Sequence, residues 1–180
     1  MKRIASAVRR KAEKVRLLLL DVDGVLTDGR IVIDDRGRET KHFDVRDGQG
    51  IALLMQAGIL VGFITARKSK VVDFRARELG VKIVHQGVQS KAHAYRAIQQ
   101  ETGIAEARIA YVGDDILDLA ILDRVGLAIT VGDGWPQLFP LVDYVTEALG
   151  GRGAVREVAE LLLKSQSKWD LVTSRYRASQ

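Results

Sequence analysis

The chain has 180 residues, 47% of them hydrophobic and 28% charged, with a net charge of +5 and no cysteine. That length supports one well-filled core, and the missing cysteine excludes disulfides and thiolate chemistry. No apolar run reaches the roughly 18–20 residues that span a bilayer, and the basic N-terminus lacks the apolar stretch of a signal peptide.

Seven of the 28 Lys and Arg fall within residues 1–16 against the single Glu13, so this leader nets +6 and the rest of the chain −1. The basic excess is therefore local, and neither a nucleic-acid partner nor membrane insertion is expected. Ile4, Val8, Ala12 and Val15 recur at helical spacing, which predicts a small amphipathic helix on the domain edge. After the leader, short apolar runs alternate with helix-length amphipathic stretches. Strands are expected over 17–22, 59–65, 81–85, 108–112 and 127–131, with a weaker one over 143–145. Helices are expected over 48–57, 68–79, 91–101, 116–124 and 154–164. Glycines punctuate the joins. Single helices between strands mean βαβ units, a parallel sheet and helices on both faces: an α/β, three-layer, Rossmann-like arrangement. Residues 29–45 break the rhythm with alternating apolar positions around "DDRG", which predicts a small β-hairpin flap after the first strand. Neither this interval nor 65–91 can hold a folded cap, so residues 1–180 read as a single domain without one, ending in a tail over 166–180.

Ligands of open α/β sheets bind beyond the carboxyl ends of the strands. Polar residues stand at just those ends. Asp21 and Asp23 follow the four leucines of "LLLLDVDG", Thr65 ends "FIT", Ser90 and Lys91 open a helix, and Asp114 and Asp115 follow "AYVG". Converging carboxylates repel unless a hard divalent cation joins them, and an oxygen-only set suits Mg²⁺. Lys91 offsets a phosphate dianion, and Thr65 with nearby backbone N–H groups can hold phosphate oxygens. The set describes phosphoryl transfer. Asp21 is placed to attack phosphorus, Asp23 to protonate the leaving alcohol and then activate water, and Gly24 to turn the backbone away. Arg152, between the glycines of "GGRGA", can reach a substrate carboxylate in its own or a neighbouring site. His42, His85 and His93 lack metal-ligand spacing and read as structural or incidental.

"DVDGVLTDG", "ITARK", "QSKAHA" and "YVGDDILD" resemble, in that order, the four motifs of the haloacid dehalogenase superfamily. "DVRDGQGI", "ARK", "DYVT" and "GGRGAVREV" resemble its capless subgroup that acts on 3-deoxy-D-manno-octulosonate 8-phosphate. The resemblance implies a Mg²⁺-dependent phosphatase of lipopolysaccharide precursor synthesis in a Gram-negative cytoplasm, working through an aspartyl phosphate. A nine-carbon 2-keto-3-deoxy sugar phosphate of the sialic-acid type, or another phosphorylated substrate, is the alternative. It implies metal held by the Asp21 carboxylate, the Asp23 backbone carbonyl and Asp114. It implies substrate contacts from Asp23, Asp44, Val45, Arg46, Asp47, Gly48, Arg67, Arg75 and Lys91. It also implies homotetramers whose flaps pack together and whose neighbours complete the pocket, a burial that Ile31, Ile33 and Phe43 would need. Two positions depart from the family pattern, Ala52 where an Arg is frequent and Ala66 where Gly is common.

Overall fold

The structure is a computed structural model that describes residues 4–177. Helix α1 (Ser6–Ala12) leads into strand β1 (Leu17–Leu20), and the flap follows as β2 (Val32–Ile33) and β3 (Glu39–Thr40). Then come α2 (Val45–Gln56), β4 (Leu60–Thr65), α3 (Lys70–Leu79), β5 (Ile83–Gln86), α4 (Lys91–Thr102) and β6 (Ile109–Gly113). The chain closes with α5 (Leu119–Leu122), β7 (Leu127–Thr130), β8 (Tyr144–Val145), α6 (Ala154–Ser165) and α7 (Trp169–Arg177).

Six strands form one parallel sheet in the order β5-β4-β1-β6-β7-β8. The first strand lies inside the sheet, Leu20 in register with Phe63 on one side and Val112 on the other. Both faces of β1 are covered, which is why it reads as four leucines without alternation. Leu18 and Leu20 enter the larger core, with residues of α1, α2, α3, α6 and α7. Leu17 and Leu19 enter the smaller one, with residues of α4 and α5. The three-layer expectation holds.

Several boundaries differ from the sequence reading, each for a local reason. Helix α2 begins at Val45 rather than 48, because Asp44 caps it by accepting from the Arg46 N–H at 2.7 Å. The expected helix over 116–124 is a 3₁₀ turn, Ile116–Asp118, followed by the four-residue α5. The flap ladder is short, Val32 pairing Thr40 and Ile33 pairing Glu39. Phe43 does not wait for a partner surface: it packs on the larger core with the Arg75 guanidinium 5.6 Å from its ring centroid. Residues 166–180 are not simply a tail, since Trp169 and Val172 of α7 pack on the same core.

The leader is more deeply built in than an edge helix. Met1–Arg3 lie outside the described residues, but Val8, Ala12 and Val15 are core residues. The Gln166 amide donates to Ala12 O and Val15 O at 3.0 and 2.9 Å. Introducing a charge into that face, as in Ala12→Asp, leaves a carboxylate buried without a partner. Such a change should lower the thermal midpoint by roughly 4–10 °C while turnover per folded molecule stays within about twofold, α1 having no part in the strand-end cluster. Thermal melts beside activity corrected for the folded fraction check this.

Candidate active site

The carboxyl ends of β1, β4 and β6 and the start of α4 meet around a cavity of about 240 Å³ lined by Asp21, Asp23, Thr65, Arg67, Lys91 and Asp114, among others. The register explains the meeting. Asp21 continues β1 and donates its N–H to Val112 O of β6 at 3.0 Å. Thr65 is the last residue of β4. Ser90 caps α4 by accepting from the His93 N–H, which sets Lys91 in the first turn.

Lys91 is buried, its Nζ donating to Asp21 Oδ2 at 2.6 Å and to Asp118 Oδ1 at 2.5 Å. Asp118, fully buried, also accepts from the Tyr111 hydroxyl. Its other oxygen accepts from the N–H groups of Asp114 and Asp115 at 2.9 and 3.1 Å. Four donors thus fill Asp118, which orients Lys91 and the loop after β6 rather than presenting a free oxygen. Asp115 turns aside to cap the 3₁₀ turn through the Ile116 N–H. Gly24 has φ +90°, a left-handed conformation suited to glycine, and a Cβ there would lie 2.0 Å from Asp114 Oδ2. The glycine therefore both turns the loop and lets the Asp114 carboxylate lie over it.

The charges do not balance. Burial, with the Asp118 charge, pushes Asp21 up to about 6 against the pull of Lys91. Burial and then the charges of Asp21 and Asp118 push Asp114 to about 8. Burial works against the Lys91 charge, yet Asp21 and Asp118 outweigh it and raise its pKa. Asp21, Asp114 and Asp118 each have an oxygen within 4.8 Å of the others; those of Asp118 are taken by its four donors, so Asp21 and Asp114 are the side chains left to hold an ion. Hard oxygen donors carrying more negative charge than one ammonium can offset are a fit for Mg²⁺.

Other expected site residues stand elsewhere. Val45 is 79% exposed. Arg46 pairs with Asp44 at 2.7 Å and donates to Arg152 O at 3.0 Å, so Asp44, Arg46 and Arg152 form a cluster of their own beside the cavity lining. Asp47 is enclosed, its oxygens accepting from Gly153 N and Arg156 N at 3.2 and 2.8 Å. It thus caps the start of α6. Arg75 pairs with Glu78 at 2.8 Å, and its guanidinium lies over Gly48, where a Cβ would stand 2.3 Å from Nη2 and would have to push the arginine aside. Within this chain, then, Arg67 and Lys91 line the cavity with Asp21, Asp23, Thr65 and Asp114, while Asp44, Val45, Arg46, Asp47, Gly48, Arg75 and Arg152 do not line it.

The sequence reading missed Asp118, Tyr111, Glu39 and Lys41. Asp118 was legible in "GDDILD", where a third carboxylate follows Asp115 by three residues. Lys41 had only the two-residue alternation of its strand to reveal it. Its ammonium bonds to Asp23 Oδ1.

Raised pKa values fix a pH dependence. Folding lifts Asp21 and Asp114 from 3.8 to about 6 and about 8, so the folded chain binds more protons than the unfolded chain across that window. Stability of the metal-free protein should therefore fall as pH rises from about 5 to about 8.5. Asp114→Asn should flatten the fall, as should millimolar Mg²⁺, which compensates the deprotonated pair. Thermal melts with and without chelator across that range read it directly.

The cluster can be set beside known proteins. Residues 74–154 match the family model of haloacid dehalogenase-like hydrolases. The chain is 47% identical over 167 residues, 93% of its own length and 89% of the relative's, to a 3-deoxy-D-manno-octulosonate 8-phosphate phosphatase of Escherichia coli strain K12. The crystal structure of the phosphatase of that name from Yersinia pestis superposes with a TM-score of 0.92 at 42% identity, covering 93% of this chain and 90% of that one. The Moraxella catarrhalis phosphatase, solved with a magnesium ion, a phosphate ion and the sugar acid, gives 0.91 at 41% identity, covering 94% and 97%.

Proposed function

Because the chain belongs to the 3-deoxy-D-manno-octulosonate 8-phosphate phosphatase family of haloacid dehalogenase-like hydrolases, we infer that it hydrolyses that ester to the free sugar acid and phosphate, a step of lipopolysaccharide precursor synthesis. The observation that carries the reading is Asp21, buried at the end of β1, held by Lys91 and facing a cavity it shares with Thr65 and Asp114. The cofactor is Mg²⁺, and Asp21, the Asp23 carbonyl and Asp114 would hold it. Bound there, it offsets carboxylate and phosphate charge and polarises a phosphate oxygen.

The chain's own residues carry the rest. Asp21 Oδ1 accepts from the Val22 N–H at 2.7 Å and Oδ2 from Lys91, so the carboxylate is held in one orientation before substrate arrives. Its attack forms an aspartyl–phosphate bond as the ester P–O bond breaks. Asp23 gives its proton to the departing alcohol oxygen. It then takes one from the water that attacks phosphorus, releasing phosphate and restoring Asp21. Thr65 and the backbone N–H groups of the loop after β4 receive the phosphate oxygens, and Lys91 balances the dianion.

Asp21→Asn keeps the shape and removes the attacking charge, so phosphate release from the sugar acid ester should fall by roughly 10³-fold or more. Excess chelator should abolish wild-type release, and Mg²⁺ should restore it. An eight-carbon against nine-carbon panel of acid-sugar phosphates should show the higher kcat/KM for the eight-carbon ester. Near-wild-type turnover of Asp21→Asn defeats the nucleophile assignment.

The sugar end needs more wall than one subunit provides. A cavity of about 240 Å³ is below the roughly 300–1,000 Å³ of small-molecule pockets. Ile31, Val32 and Ile33 are 56%, 46% and 56% exposed on a two-stranded ribbon, and such a ribbon is marginal alone in water. These features support a homotetramer built on packed flaps, in which Val45, Arg46 and Arg152 reach the acid sugar. No helix among the described residues is long and apolar enough to cross a membrane, which accords with a cytoplasmic enzyme. Ile31→Asp with Ile33→Asp should yield smaller particles in light scattering and a KM for the acid-sugar ester raised roughly tenfold. A dissociated variant with unchanged kinetics would defeat closure by neighbours.

A further inference from the structure

The flap brings a second set of charges to the site. Along residues 39–43 the exposed Thr40 and His42 alternate with Glu39, Lys41 and Phe43, which are covered, the two-residue period of extended chain. Phe43 seats the flap on the core. The Lys41 side chain is only 1% exposed, and a lysine is almost never so enclosed unless it is paired. Its ammonium bonds to Asp23 Oδ1 and stands 3.3 Å from Glu39 Oε1. Glu39 Oε1 accepts from Arg67 Nη2 at 2.9 Å, and Arg67 Nε stands 3.7 Å from Asp23 Oδ2. Two carboxylates and two cations thus close a ring that ties the flap, the loop after β1 and the loop after β4 together. Burial acts to raise Glu39, but hydrogen bonds from Ser69 and Arg67, with the Lys41 charge, bring it down to about 2, so Glu39 stays negative between the two cations.

Asp23 and Arg67 line the cavity, and Lys41 does not. A side chain so enclosed meets no substrate; it can act only through its partner. Asp23 has two oxygens, and Lys41 takes Oδ1. Oδ2 makes no hydrogen bond among the described residues and is covered in this conformation, with Arg67 Nε standing over it at 3.7 Å, too far for a bond. Being unpaired, it is the oxygen left to exchange a proton with the ester and with water once substrate displaces that cover.

We propose that Lys41, delivered by the flap and backed by Glu39, is a positioning residue: it fixes the Asp23 carboxylate by Oδ1 so that Oδ2 faces the leaving-group oxygen. The proposal rests on the acid–base role assigned to Asp23. A proton donor acts only within hydrogen-bond reach of its target, and a misplacement of about 1 Å can cost about 10²-fold in rate. The ring also explains why a surface ribbon carries a buried lysine at all, since an unpaired ammonium would be expensive there.

The test compares Lys41→Met, Glu39→Gln and Asp23→Asn on two esters, the acid-sugar phosphate and p-nitrophenyl phosphate. The sugar leaves as a poor alkoxide that needs a proton; nitrophenolate leaves without one. Lys41→Met should lower kcat/KM for the sugar ester about 10²-fold, and for the aryl ester less than about tenfold. The inhibition constant of inorganic phosphate should stay within about threefold, because the phosphate site itself is untouched. Glu39→Gln, which leaves Lys41 in place, should show the same substrate bias at roughly several-fold and carries the test if Lys41→Met fails to fold by circular dichroism. Equal losses on both esters, a change in phosphate affinity alone, or no loss in a folded variant would overturn the proposal. Asp23→Asn that keeps sugar-ester turnover would instead overturn the acid–base assignment. Asp23→Asn that loses it while the other two retain it would sink only the role of Lys41.

Discussion

Lys91 stands between Asp21 and Asp118 with its charge almost out of water, and the arrangement of the strand ends around it follows from that pairing. An ammonium so placed is tolerable only with carboxylates against it. The carboxylates in turn need it, and with Asp114 they outnumber it three to one. Each partner comes from a different element: β1 for Asp21, α4 for Lys91, and the turn after β6 for Asp118. The pairing therefore fixes how far those elements can slide against one another. Tyr111 and the N–H groups of Asp114 and Asp115 complete the coordination of Asp118, so the loop that carries Asp114 is set by the same interaction. What remains unbalanced is the electrostatic appetite of the site for a divalent cation and for a dianion that arrives with its own oxygens.

The sheet and the cluster at its strand ends were legible because both obey simple periods. A strand buried on both faces is a run of apolar residues, and the rim residues of a parallel sheet come at the ends of such runs. Asp21, Asp23, Thr65, Lys91 and Asp114 could be found that way. The resemblance of motifs pointed to the same five. Helix ends were less legible where capping decided them, as at Asp44, whose side chain starts α2 three residues early. The short turn at Ile116–Asp118 was hidden because Asp118 is drawn inward by Lys91 and Tyr111, a tertiary demand that overrides the helical pattern. Lys41 and Glu39 were invisible for a related reason: charged residues on a ribbon are ordinarily solvated, and only their partners across the fold show that these face inward.

Asp47 illustrates a structural task that the motif alone does not reveal. Its carboxylate caps α6 from α2, joining the two helices through Gly153 and Arg156. The same joint steers "GGRGA" past the loop after β1, where the Gly151 N–H donates to Val25 O at 2.9 Å and a Cβ on Gly150 would strike Gly24 O at 1.8 Å. The loop bearing Asp23 is thus braced from behind by a segment near the far end of the chain. Arg46 and Arg152, which meet at the outer side of this joint, are held in fixed relation to the loop even though they lie outside its cavity.

The position of β1 also governs what happens while the chain is being made. Leu17–Leu20 precedes both of its neighbours in the sheet, which start at Leu60 and Ile109, so one edge of this strand stays unpaired until the chain has been made through β6. Parallel pairing over such separations is slow, and an unpaired apolar strand is the kind of segment that recruits other chains. Arg16 and Asp21 bracket the four leucines as flanking charges that discourage such recruitment. Asp21 thus borders the leucine run with a charge that has no partner until Lys91 has been made.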